Sequence, residues 1–188
     1  NIQRNTISFV KLRPNVKVSV EATINWLNSN VLRSESGMEM KFYRKDSDKI
    51  GYNHLRYMQF YKGVPVEYSM YIVHAKDGHI VSANGEAYLN IKINTKASIA
   101  PEIAKQKAYK AFPAGRYITE ENNGLPKLFV LPLKDGAYSL VYKVDVNTEE
   151  PLSRQWVYVN AESGAIIKTL NRLETYNVSA TADTRYSG

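Results

Sequence analysis

A strand-rich α+β protein is the expectation, and three observations lead to it. Tyrosine is abundant, with 14 in 188 residues beside 5 Phe and 2 Trp, and aromatic and β-branched residues in alternation favour sheet. Two segments instead space their apolar residues as one face of a helix. The order of one helix followed by about four strands occurs twice. Two tandem related units follow, each a helix packed on an antiparallel sheet of about four strands, because an apolar sheet face needs a covering layer.

The first fifteen residues are polar and end near Pro14, with Ile7 and Phe9 suggesting a short lead-in strand. From Val16 to Leu32 the early apolar residues suit strand or helix. The later ones, Ala22, Ile24, Trp26, Leu27 and Val31 with Asn30, fit a helical face. Gly37 is a stop signal. Strands are expected at Met38–Arg44, His54–Tyr61, Val66–His74 and His79–Ala83. Gly63-Val64-Pro65, Lys76-Asp77-Gly78 and Asn84-Gly85 are read as the turns.

Then the pattern restarts. Ser98 is a candidate N-cap, with Pro101 and Glu102 in the first turn. Ile99, Ile103, Ala104, Ala108, Ala111 and Phe112 form a stripe that Pro113 ends. Arg116–Gly124 is expected to be loop. Strands follow at Lys127–Leu133, Tyr138–Val146, Gln155–Val159 and Ala165–Leu170, with turns at Asp135-Gly136, Asn147–Pro151 and Ser163-Gly164.

The repetition is visible in the residues themselves. Tyr71–Ile80 aligns without gaps on Val157–Ile166, so that Val73, Ala75, Gly78 and Ile80 meet Val159, Ala161, Gly164 and Ile166. Two copies are too few for a solenoid and fit a duplicated small unit. The expected domains are 1–93 and 97–171, divided at the polar Asn94-Thr95-Lys96. Residues 172–188 then form an extended tail rich in Thr, Ser, Ala, Asn and Tyr.

Composition excludes several functions. The hydrophobic content of 44% is too high for a disordered tail. The absence of cysteine removes disulfides, thiolate zinc sites and cysteine nucleophiles. No apolar run approaches the roughly 20 residues of a membrane span, and no membrane partner is expected. The net charge of +7 is spread along the chain. It suits a solvated basic surface or an acidic partner, and no nucleic-acid motif accompanies it. The chain opens at Asn1 with no signal segment, so a leader is expected to have been removed.

Catalytic chemistry is not expected. A helical zinc-hydrolase site needs two histidines one turn apart with a Glu between them, and His54, His74 and His79 make no such pair. His74 and His79 flank the Asp77-Gly78 turn, where an adventitious metal site competes with the simpler reading of one partly buried and one solvent-facing imidazole. Asp46/Asp48, Glu120/Glu121 and Glu149/Glu150 sit in polar stretches, as solvated turn residues do. There is no Gly-x-Ser-x-Gly elbow and no phosphate-cradling glycine loop. No catalytic residue, no cofactor-binding residue and no metal ligand is assigned.

One long segment carries a family resemblance. His54-Leu55-Arg56-Tyr57-Met58-Gln59-Phe60-Tyr61-Lys62-Gly63-Val64-Pro65-Val66 resembles the core motif of the fungalysin/thermolysin propeptide family, roughly His-x-Arg-Tyr-x-Gln-x-Tyr-x-Gly-Val-Pro-Val. Val73-His74, Gly78, Val81 and Asn84-Gly85 also sit where that family has them. Glu67-Tyr68 departs from it, since members often carry an apolar residue and Gly there. The second copy, through Leu140–Val144 and Trp156–Gly164, resembles a PepSY domain. Ala182–Gly188 looks like the lead-in to a mature enzyme. The resemblance covers about Ile24 to the end.

The resemblance implies a cystatin-like fold for the two units and a non-catalytic pro-region of a secreted thermolysin-like zinc metalloprotease. Such a pro-region acts as intramolecular chaperone and inhibitor of the cognate catalytic domain. Its place is secreted, or periplasmic in transit. Zinc, with calcium, is expected in the enzyme domain and not in this chain. His54, Arg56, Gln59, Tyr61, Gly63 and Pro65 are the motif residues expected to support the fold or face the enzyme. Leu173, Tyr176 and Val178 are the tail side chains expected to fill substrate pockets. A free-standing secreted inhibitor or binding module built from the same domains is the competing reading.

Overall fold

The computed structural model describes residues 7–118 and 125–173. Among the described residues it is α+β, with two helices and ten strands in one connected, mostly antiparallel sheet. Strand β1 (Phe9–Lys11) precedes α1 (Thr23–Asn30). Then come β2 (Met38–Ser47), β3 (Tyr52–Tyr61), β4 (Val64–Lys76) and β5 (His79–Gly85). After α2 (Pro101–Ala111) follow β6 (Arg116–Tyr117), β7 (Lys127–Pro132), β8 (Tyr138–Glu150), β9 (Leu152–Asn160) and β10 (Ile166–Asn171). The main path runs β1-β5-β4-β7-β8-β9-β10, with β2 and β3 branching from β4 and β6 on β8. β4 and β7 run parallel, meeting at Val66 and Val130, and the other pairs among the described residues are antiparallel.

The buried face of α1 is Thr23 and Leu27, continued by Val31 at the C-cap, and is narrower than the expected stripe; Ile24 at its edge is 39% exposed. Thr23 Oγ1 donates to the Val20 carbonyl at 2.6 Å, and Asn28 Oδ1 accepts the Met40 N–H at 2.8 Å, tying the helix to β2. The core under it joins Leu27 and Leu32 to Met40, Tyr57, Tyr71 and Val73. Burial pushes the Tyr71 hydroxyl up to about 12, and that hydroxyl donates to the Ile7 carbonyl at 2.5 Å.

Ser98 does not cap α2. Its N–H and that of Ile99 donate to the Ala161 carbonyl, at 2.9 and 3.1 Å, which draws this segment onto the end of β9. Ala100 stands at the N-cap without a side-chain bond, and Pro101 opens the helix, where its missing N–H costs nothing. Glu102 in the first turn and Lys110 in the last complement the helix dipole. Only Ala104 and Ala108 of the expected stripe are fully buried, and Ile103 is exposed. These two small side chains pack in one core with Tyr142, Val144, Val157 and Val159.

Several turns differ from expectation. The β3–β4 turn is Lys62-Gly63, both at positive φ as a two-residue hairpin turn requires, so Val64 and Pro65 belong to β4. Asp77-Gly78 closes β4 onto β5 in the same way. Asn84-Gly85 is no turn: Asn84 pairs with Ile72 and Phe9, inside the sheet. Asn147–Glu150 continues β8, where Thr148 is buried and pairs with Ser153, and the turn comes only at Pro151. Arg116-Tyr117 of the expected loop pairs with this extension, and residues 119–124 lie outside the described residues. Residues 86–98 hold no helix or strand, yet Ala87, Leu89 and Ile91 alternate into the core.

Candidate functional site

The motif strand β3 alternates strictly. Leu55, Tyr57, Gln59 and Tyr61 are buried on the helix side, and His54, Arg56, Met58 and Phe60 are half-exposed on the other. Gln59 is fully buried and satisfied at both ends: its Nε2 donates to the Tyr88 carbonyl at 2.6 Å and its Oε1 accepts the Tyr88 N–H at 2.8 Å. The side chain thus acts as a strand partner for Tyr88, clasping the segment that leaves β5. Tyr61 is 4% exposed and packs with Val66, Ile91 and Val130. Gly63 lies in the hairpin turn, and Pro65 pairs with Phe60.

The half-exposed face carries charge. Arg56 is ion-paired with Asp46 of β2. His54 lies directly opposite His74, with their Nδ1 atoms 2.7 Å apart. His54 Nε2 contacts Asp48 Oδ2 at 3.2 Å, and His74 Nε2 contacts Asn84 Oδ1 at 2.7 Å. The Asp48 carboxyl is held below its usual range, first by the N–H of Tyr52, with Ile50 N–H and His54 adding to it. His79, on the other side of the Asp77-Gly78 turn from His74, holds the Asp77 carbonyl through Nδ1 at 2.8 Å. Strand pairing is the reason: His74 and His79 diverge from their turn, while β3 and β4 place His54 and His74 side by side.

A second polar cluster joins the two halves of the sheet. Between Phe60↔Pro65 and Met58↔Met70, β3 advances two residues while β4 advances five, so residues 66–69 bulge out. The bulge holds Tyr68 at φ +64° and buries Glu67. Glu67 Oε1 accepts from Lys143 Nζ at 2.6 Å and from the Tyr158 hydroxyl at 2.8 Å. Tyr68 donates to that hydroxyl at 3.3 Å. Burial, then Tyr68 and Glu67, push the Tyr158 hydroxyl far up, so it stays protonated and donates. Lys143 also lies over the rings of Trp156, Phe129 and Tyr158. Glu67-Tyr68 is thus the place where the chain both departs from the motif and bonds across the sheet.

Near the exit from β10, Arg172 Nη1 donates to Asp145 Oδ2 at 2.8 Å and its guanidinium covers Trp156. Arg154 holds the same carboxylate at 2.7 Å. Of the three tail candidates, Leu173 is half-buried next to this anchor, and Tyr176 and Val178 lie outside the described residues.

Residues 39–87 match the Fungalysin/Thermolysin Propeptide Motif, the span of β2 to β5 with Gln59, the histidine pair and the bulge. The chain is 32% identical over 157 residues to bacillolysin of Bacillus subtilis (strain 168), covering 78% of this chain and 30% of that protein. It is 32% identical over 165 residues to bacillolysin of Bacillus amyloliquefaciens, covering 84% and 32%. Thermolysin of Alicyclobacillus acidocaldarius subsp. acidocaldarius matches at 27% over 155 residues, covering 78% and 28%. The chain carries the motif of the fungalysin/thermolysin propeptides and is similar to the precursors of thermolysin-like metalloproteases. It spans about a third or less of the length of these curated relatives. Among solved structures, the Bacillus megaterium YpeB C-terminal domain aligns at a TM-score of 0.42 and 14% identity, covering 87% of this chain and 70% of that chain. Among the described residues, no helix is long and apolar enough to cross a membrane.

Proposed function

We propose that this chain is the non-catalytic pro-region of a secreted thermolysin-like zinc metalloprotease, helping its cognate catalytic domain to fold and inhibiting it until processed. The observation that carries this reading is the motif match over residues 39–87. A propeptide that binds the folded enzyme and not its unfolded chain stabilises the enzyme by mass action. The zinc and calcium belong to the enzyme domain, and this chain supplies the fold with no cofactor. Its partner is that domain, with neither nucleic acid nor membrane.

The finer architecture we propose is two tandem cystatin-like units: the propeptide-motif domain, 1–93, and a PepSY-type domain, 97–171. What supports it is the order α1 then β2–β5 and α2 then β7–β10. Gly78 and Gly164 lie at φ +75° and +73° after the aligned strands, and Ala75 and Ala161 are both fully buried. Gln59 and Tyr61 then serve the first unit's interior, with Gly63 and Pro65 shaping its hairpin. His54 and Arg56 lie on the face left for the enzyme. Residues 172–188 serve as the extended inhibitory tail, with Leu173, Tyr176 and Val178 in substrate pockets. A protease cleft takes an extended strand and not a packed sheet.

Refolding tests the chaperone role. Denatured cognate catalytic domain, diluted with an equimolar amount of this chain, is expected to recover at least ten times more activity, after removal of the chain, than without it. Arg56→Ala is expected to reduce that gain while leaving the melting curve of the chain nearly unchanged. Equal recovery with and without the chain would count against the proposal and favour a free-standing binding module.

A further inference from the structure

The histidine pair on the open face of β3 and β4 has chemistry that neither a propeptide motif nor a strand pairing requires. Asp48 Oδ2 and Asn84 Oδ1 can only accept hydrogen bonds. Each histidine therefore carries a proton on Nε2 and donates it, His54 to Asp48 at 3.2 Å and His74 to Asn84 at 2.7 Å. With both rings neutral, the two Nδ1 atoms are lone pairs that face each other at 2.7 Å across the strands. Two lone pairs at that distance repel unless a cation stands between them, either the second proton of one imidazolium or a metal ion. The outer partners match the pattern around metal-binding imidazoles, whose second N–H goes to a carboxylate or a carbonyl oxygen.

We propose that His54 and His74 form a two-imidazole site for a borderline transition-metal ion of the Zn2+ class, bound through both Nδ1 atoms. Imidazole nitrogen is a preferred ligand of such ions. Zn–N bonds of about 2.0–2.1 Å in tetrahedral geometry set the two nitrogens roughly 3.3 Å apart, so the pair opens by roughly half an ångström. The two rings are half-exposed and meet edge to face at 78°, which leaves room for that rotation. Asp48 is fixed in turn, since its Oδ1 accepts the N–H groups of Ile50 and Tyr52 at 3.0 and 2.8 Å. Asn84 is fixed through its backbone in β5. The remaining charges of this neighbourhood are Asp46, balanced by Arg44 and Arg56, and Lys76 over the Tyr52 ring. No cluster of three or more His, Asp and Glu suited to a metal occurs among the described residues, so water completes the coordination. The site binds a supplied ion to an already folded sheet; it is not a structural metal centre. It stands independently of the chaperone and inhibitor roles.

The test is titration of the isolated chain with Zn2+ by calorimetry at pH 7.5. One equivalent is expected to bind saturably. His54→Ala and His74→Ala are each expected to weaken binding at least tenfold, and Asp48→Asn about tenfold, in the range usual for such outer partners. His79→Ala is expected to change nothing. Melting curves of each variant without zinc show whether the sheet is intact. Should one variant misfold, nitrogen-15 NMR of the wild-type histidines decides without it: zinc is expected to move the Nδ1 resonances of His54 and His74 and leave their Nε2 protonated. Absence of saturable uptake, uptake unchanged in both histidine variants, or coordination through Nε2 would each overturn the site.

Discussion

Glu67→Ala is expected to destabilise the chain by about 3 kcal/mol, in the range for removing one member of a buried ion pair. Glu67 is 8% exposed, and its Oε1 is the shared acceptor for Lys143 and the buried Tyr158 hydroxyl. Without it a half-buried ammonium keeps only its aromatic neighbours, and a buried hydroxyl loses its acceptor. Urea unfolding followed at two wavelengths measures the change. Glu67→Gln is expected to recover part of the loss, because an amide oxygen still accepts from Tyr158. The double variant Glu67→Leu, Lys143→Met is expected to be more stable than Glu67→Ala, since it leaves no unpaired charge. A loss below about 0.5 kcal/mol for Glu67→Ala, the size of an ordinary surface substitution, would mean that the halves are held by Val66, Val130 and their apolar neighbours alone.

Gly85→Ala is expected to cost more than about 3 kcal/mol and to leave little folded chain, given total stabilities of about 5–15 kcal/mol. A Cβ at this position would stand 2.2 Å from the Met70 carbonyl oxygen and 2.6 Å from the Tyr71 Cα, both backbone atoms of the neighbouring strand. Its φ of +154° adds strain for any side chain. Gly78→Ala is the control. A Cβ there meets nothing within 4 Å, so only the positive φ of +75° counts, at about 1 kcal/mol. Thermal melts of the two variants should therefore differ widely. Similar melting points would show that β5 moves off β4 without penalty.

Much of this was legible because it is local. Alternation in His54–Tyr61 and the helical spacing of Ala104 and Ala108 come from neighbours along the chain, and both appear in the structure. Turn chemistry was legible at Asp77-Gly78. It misled at Asn84-Gly85, where glycine serves close strand approach instead of reversal. The cap of α2 was misplaced because Ser98 and Ile99 are claimed by Ala161, more than sixty residues away.

The candidate sites were harder for the same reason. A plain hairpin at Lys62-Gly63 would set His54 opposite Tyr71; the bulge at residues 66–69 shifts the register and sets it opposite His74. Only the departure at Glu67-Tyr68 signalled that bulge. Glycine takes the conformation of residue 68 at no cost, whereas tyrosine needs compensation, and its hydroxyl and ring find it in Tyr158 and Lys168. Gln59 was visible as a motif residue, but a lone polar side chain does not announce that its partner is the backbone of Tyr88.

A chain with this role recognises the folded catalytic domain of a thermolysin-like enzyme. The most direct measurement is titration of the mature cognate enzyme with the isolated chain, following hydrolysis of a small peptide substrate. Saturable inhibition at a one-to-one ratio is the expected result. A chain ending at Leu173, which keeps the Arg172–Asp145 anchor, is expected to stay folded and inhibit at least tenfold more weakly. Inhibition just as tight from the shortened chain would move the contact to the sheet surfaces. Full enzyme activity in the presence of a large excess of the complete chain would contradict the inhibitor reading itself.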